Sequence, residues 1–175
     1  MRFKLAAIAL GIVVVASAFG ASAFTTATVQ RDANINVASD SGGLIGLTAG
    51  DSELVSSPTD GQLSIDVAQG DASGVNPNSS LTIGNESSPA FNITNNFPSA
   101  HTFNVSYEMG TDPDTTTKNV KFKLFNSTDH VDTVNEDEAY KGELSTGDKL
   151  RVVVEVDSSG ATKSDDLSGN LNITA

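Results

Sequence analysis

Three stretches of the chain alternate apolar and polar residues with a period of two: HTFNVSYE from His101, KNVKFKLF from Lys118 and KLRVVVEV from Lys149. In the first, His101, Phe103, Val105 and Tyr107 share one face. In the second, Val120, Phe122 and Leu124 oppose Lys121 and Lys123, and in the third Val152, Val154 and Val156 oppose Arg151, Val153 and Glu155. A strand sends successive side chains to opposite faces, so this period places one apolar face against a core and one polar face in water. Weaker strands read at Leu63–Val67, Leu81–Ile83, Ala90–Thr94, Tyr140–Leu144 and Leu171–Thr174. Turn clusters separate them: Asp60-Gly61, Asp71 to Gly74, Gly84-Asn85, Gly110 to Asp114, Gly147-Asp148 and Ser158 to Gly160. The polar stretch Gln69 to Ser80 reads as a long surface loop. Short strands punctuated in this way predict an all-β fold, a single β-sandwich of jelly-roll type.

The first 23 residues are of another kind. Arg2 and Lys4 precede an uncharged apolar run from Leu5 to Phe19, and Ala21-Ser22-Ala23 follows. A positive start, an apolar core and a small-residue site make a secretory signal peptide, with the cut expected between Ala23 and Phe24. The alternative is a retained anchor, since no charge occurs between Lys4 and Arg31. Against it, a spanning helix needs about 20 apolar residues, and this core is shorter. The expected mature chain, residues 24–175, is secreted or displayed at the cell surface and has no membrane segment.

Loss of Arg2 and Lys4 carries the formal charge from -12 to -14. Such acidity repels the phosphates of nucleic acid and excludes it as a partner. It suits solubility in high salt, where a carboxylate surface stays hydrated. The chain has no Cys. Small exported domains commonly rely on disulfides, so this one must hold itself by packing, helped by partners or cations.

Residues 24–39 open the domain with an amphipathic strand. Ala27, Val29, Ala33, Ile35 and Val37 fall on one face, interrupted only by Arg31; Thr26, Thr28, Gln30, Asp32, Asn34 and Asn36 fall on the other. Such a strand either begins its own sandwich or leaves it to complete a neighbour's sheet. Signal cleavage would free its outer end for the second role.

Six Asn-x-Ser/Thr sequons occur, at Asn78, Asn85, Asn92, Asn104, Asn126 and Asn172. Asn92, Asn104 and Asn172 each lie between two apolar residues, so in a strand they point outward; the other three fall at loops or strand ends. All six are glycosylation candidates. Their other reading is as ordinary outward polar positions. Carboxylates gather in loops at Asp112 with Asp114, at Asp137 with Glu138, and at Asp165 with Asp166. Each pair could supply part of a calcium site, although none has the spacing of an EF-hand, and each also reads as a solvated loop. No cofactor other than calcium is suggested. For catalysis there are His101 and His130, no Cys, and no GxSxG, HExxH, phosphate-loop or dinucleotide motif. His101 reads as a packed or rim residue and His130 as exposed in a turn. No catalytic residue is expected.

The start AFTTATVQRDANINVASDSGGLIGLTAGD resembles that of a family of uncharacterised exported proteins of halophilic archaea. In that family an AFT-type start leads into an Arg-containing alternating strand, an Asp/Ser turn and a short LxGL-like strand. The matching residues here are Ala23 to Thr25, Arg31, Asp40 and Leu44 to Leu47, and the ending DDLSGNLNITA is similar to the family's last strand. The family is similar in outline to the TasA/camelysin group of secreted β-sandwich proteins, some of which assemble biofilm fibres through a donated terminal strand. The resemblance implies a self-associating subunit of a surface filament, pilus or matrix. It also raises the peptidase activity associated with camelysin, but no zinc motif is present to carry one. Two functions from different classes follow as expectations. One is a polymerising structural protein whose assembly strand includes Val29, Arg31, Ala33, Ile35 and Val37. The other is a monomeric surface module that binds calcium or glycans.

Overall fold

The structure, a computed structural model, describes residues 38–57, 61–68, 71, 73–110 and 118–175. The signal segment, the expected cut at Ala23/Phe24, the assembly-strand residues Val29, Arg31, Ala33, Ile35 and Val37, and Asp112 and Asp114 lie outside them. The described residues fold as an all-β protein. After a 3-10 turn at Asp40–Gly42 come β1 (Ile45–Ala49), β2 (Val55–Ser56), β3 (Ser64–Ile65), β4 (Ser80–Ile83), β5 (Phe91–Asn95) and β6 (His101–Met109). They are followed by β7 (Lys118–Phe125), β8 (His130–Val134), β9 (Tyr140–Leu144), β10 (Lys149–Ser158) and β11 (Gly169–Thr174).

One sheet runs β1-β5-β10-β7-β8, with β4 also paired to β10; the second runs β11-β6-β9, and β2 pairs with β3 as a small hairpin. All of these pairings are antiparallel. The organising strand is β10. Its first half pairs with β5 and its second half with β4, while β7 follows its other side from Arg151 to Ser158. Strands β4 and β5 therefore lie end to end along one flank of β10. The turn between them needs Gly84, whose φ of +76 favours glycine and where a Cβ would collide with the backbone of Pro89 and Ala90.

The alternating faces meet to form the core. Phe103, Val105 and Tyr107 of β6 join Val120, Phe122 and Leu124 of β7, Leu150, Val152, Val154 and Val156 of β10, and Phe91 and Ile93 of β5. The rings of Tyr107 and Phe122 lie 5.1 Å apart and tilted by 52°, which sets β6 over β7. Burying each such apolar side chain contributes about 1.5–3 kcal/mol. One alternation departs from the sequence reading. Val153 points to the outer face of the larger sheet yet is only 5% exposed. Its register partner Lys123 reaches along that face to Glu155, Nζ to Oε1 2.6 Å.

The two sheets are joined at β8 and β9. Strand β8 contacts both β6 and β9, and only the residues between Val134 and Tyr140 separate the two strands. With β9 beside β8 and β6 over β7, the second sheet ends with β11 toward β10. Among the described residues three strands thus face a sheet five strand positions wide. The rest is met in part by the segment after β1: Val55 is buried in the core, with Leu54, Leu63, Ile65 and Val67 packed against it. The amide of Leu63 donates to Asp40 Oδ2 at 2.6 Å and ties that segment to the first turn.

Candidate functional site

In the two larger sheets five strands have a flank that pairs with nothing among the described residues: β1, β4, β8, β9 and β11. An open flank is a row of main-chain donors and acceptors able to pair with another chain, and charged side chains are one way to discourage it. Strand β8 carries Asp132, and β9 carries Lys141 and Glu143. Strands β1 (IGLTA), β4 (SLTI) and β11 (GNLNIT) carry no charge.

Of these, β11 borders the narrower sheet. Gly110 N–H donates to Ser168 C=O at 2.9 Å, one step before β11 pairs with β6. Antiparallel pairs alternate between bonded and unbonded, so the N–H and C=O groups of Gly169, Leu171 and Ile173 face away from β6. The side chains of Leu171 and Ile173 meanwhile pack against the core and remain half-buried. Main-chain groups and apolar side chains are thus both incompletely covered along this strand.

The asparagines divide into two kinds, in turns and in strands as the sequence pattern suggests, and the turn asparagines use their side chains to hold the backbone. Three of them begin four-residue turns with the same bonds. Asn85 N–H donates to Ser88 C=O, and its Oδ1 accepts from the amides of Ser87 and Ser88 at 2.9 Å. Asn126 Oδ1 accepts from the amides of Thr128 and Asp129 and from the Thr128 hydroxyl. Asn135, which is not in a sequon, does the same with Asp137 and Glu138. A short amide side chain closes such turns by mimicking the backbone. Arg151 joins two of them to the start of β10 by donating to the carbonyls of Glu86 and Asn126. Asn78 is also structural, with φ +53 and Oδ1 accepting from Gly160 N–H at 2.8 Å. The sequence signal was an Asn at or just after the apolar end of a strand, opening a short polar gap before the next one.

The remaining sequons lie within strands. Asn92 is half-buried on the outer face of the larger sheet, in register with Thr48 and Arg151. Asn104 and Asn172 are exposed on the outer face of the smaller one. They are close together, because Asn104 pairs with Thr174 and Ser106 with Asn172. The two sequons therefore interlock as one block of four outward polar residues.

The described acidic candidates do not converge. Asp137 and Glu138 occupy the exposed Asn135 turn. Asp165 Oδ2 accepts from Thr162 N–H, and Asp166 Oδ1 accepts from the Ser168 hydroxyl and amide. Those last two bonds, the hydroxyl first, hold the Asp166 carboxyl below the usual range. Among the described residues no three His, Asp or Glu gather as a metal would require. His101 stacks on Phe97 at 4.0 Å, and His130 meets Phe125 edge-on at 5.1 Å. His130 is exposed as expected, but it begins β8 rather than sitting within the turn.

Among the described residues the most strongly shifted group is Tyr107. Burial, and then the charges of Glu136 and Asp166, push its phenol up to about 12. Its hydroxyl donates to Leu167 C=O at 3.1 Å. Tyr140 is raised in the same direction by burial and then by Asp132.

Comparison of the chain with family models, with curated proteins and with solved structures finds no match.

Proposed function

We propose that this protein is an exported structural subunit that joins copies of itself by strand addition at the β11 edge. The supporting observation is that edge: an uncharged strand with outward main-chain groups, half-covered Leu171 and Ile173, and three strands opposite a sheet five positions wide. The donor is the alternating segment 24–37 of a second copy. Main-chain hydrogen bonds to Gly169, Leu171 and Ile173 would supply the pairing. Val29, Ala33, Ile35 and Val37 would supply the apolar side chains that extend the smaller sheet. The polymer would form a filament or matrix at the cell surface.

The test is assembly of the secreted chain, followed by light scattering and electron microscopy. Deleting residues 24–38 is expected to leave export intact and abolish filaments. Leu171→Pro, which removes an outward N–H that β6 does not use, is expected to weaken assembly by at least tenfold. A full-length secreted protein that stays monomeric at high concentration and high salt would sink the reading.

A further inference from the structure

We propose that the outer face of the smaller sheet is a sugar-bearing face, with N-linked glycans at Asn104 and Asn172. Four of the six sequons are disfavoured by their surroundings. The amide oxygens of Asn78, Asn85 and Asn126 hold turns in place, and Asn92 is half-buried between Thr48 and Arg151. The other two differ on every count. Asn104 and Asn172 are exposed, and among the described residues neither amide makes a hydrogen bond to the protein. In each sequon the middle residue, Val105 or Ile173, turns inward, while the Asn and its hydroxyl residue turn outward together.

The register makes them a pair. Thr174 lies opposite Asn104 and Asn172 opposite Ser106, so the two asparagines are diagonal neighbours, roughly 7–8 Å apart. Around them the same face offers Thr102, Lys141 and Glu143, an open polar surface with room for two sugars side by side.

The donor is a lipid-phosphate-linked oligosaccharide, used by the cell's oligosaccharyl transferase during export. The amide Nδ2 attacks the anomeric carbon, a C–N bond forms and the bond from that carbon to the phosphate oxygen breaks. The lipid phosphate leaves, and one amide proton passes to a base on the transferase. The transferase reads the hydroxyl of Ser106 or Thr174. After folding, the sugar must stand in solvent, as both positions allow.

The inference rests on the export proposed above, so the experiment separates the two. The full chain is recovered from the outside of its native cells and weighed intact, and its tryptic peptides are mapped. Two glycan masses are expected. Asn104→Gln and Asn172→Gln should each remove one, and Ser106→Ala and Thr174→Ala should do the same with the asparagines in place. Asn170→Gln, on the same face and outside any sequon, should remove none. These substitutions lie on the outer face of the smaller sheet and leave the core intact. An exported chain with plain asparagine at both positions overturns the proposal while export stands. Modification that persists in Ser106→Ala or Thr174→Ala also overturns it. A chain found only inside the cell overturns both readings.

Discussion

The two lateral sides of the sandwich are built from the same kind of strand and finished differently. On the β8–β9 side the chain itself crosses from one sheet to the other through the Asn135 turn, and Val134, Tyr140 and Leu144 are buried. The open strands there carry Asp132, Lys141 and Glu143. On the β11 side the edge is uncharged, and Leu171 and Ile173 are only half-buried. Burial and edge charge vary together. Among the described residues, the side that closes on itself carries charge at its edges, and the side with half-buried apolar residues carries none. Strand addition at one side alone would therefore give a polymer with a direction.

The largest test of that contrast is a pair of truncations in the full chain. Phe103 of β6 is fully buried in the core, and Phe103→Ala should cost about 3–5 kcal/mol, loss of transfer energy plus an unfilled cavity. Ile173→Ala, at the open edge, should cost about 1–2 kcal/mol in the monomer because part of its surface is already wet. Urea midpoints measure both. Equal losses would show that the β11 side is as closed as the centre. A cost at Ile173 that grows when copies associate would sharpen the assembly reading.

A second test uses pH. Tyr107 joins the packed centre to the segment leading into β11, through its ring contact with Phe122 and its hydrogen bond to Leu167. Its phenol is raised from 10.0 to about 12 in the folded state, so the unfolded chain loses that proton first as pH rises. Stability from this group is complete below pH 10 and declines as pH rises through the folded value. The expected loss is about 1–2 kcal/mol, two pH units at 1.36 kcal/mol each reduced by solvent screening of the Glu136 and Asp166 charges. Tyr107→Phe should flatten that part of the profile between pH 9 and 11.5. An unchanged slope would place the alkaline loss elsewhere, with Tyr140 the next group to replace.

Much of this molecule was legible in its sequence, and the exceptions share a cause. Strands β6, β7 and β10 were read almost to their ends and β9 fell on Tyr140–Leu144 as expected, because period-two apolar faces are properties of a segment alone. Strand β8 was not read. Val131 turns its apolar side chain to solvent while Asp132 is half-buried, so the alternation is blurred. Which strand stands at an edge was not legible either. Periodicity says which residues share a face and says nothing about the neighbouring strand. The buried Asn95 shows the same limit. Its Nδ2 donates to Leu144 C=O at 2.8 Å and to Ser99 C=O, and its Oδ1 accepts from Phe97 N–H, so it joins β5 to β9 across the two sheets. The alternation of FNITN puts Asn95 on the inward face with Phe91 and Ile93, opposite Asn92, but it does not show the partner that Asn95 meets in the other sheet.

The smallest effect tests whether the turn asparagines act through the oxygen they present. Asn135 closes the corner between β8 and β9, accepting from the amides of Asp137 at 2.9 Å and Glu138 at 3.0 Å. Asn135→Ala removes the acceptor and should cost about 1 kcal/mol, the net worth of an exposed turn of this kind, seen as a few degrees in Tm. Asn135→Asp keeps an oxygen in place and should lose less than half as much, even though it adds charge to an acidic turn. Since 135 is outside any sequon, the comparison carries no glycan effect. If Asp loses as much as Ala, the amide nitrogen or the neighbouring charges hold this corner. The closed side would then owe its closure to electrostatics rather than to turn geometry.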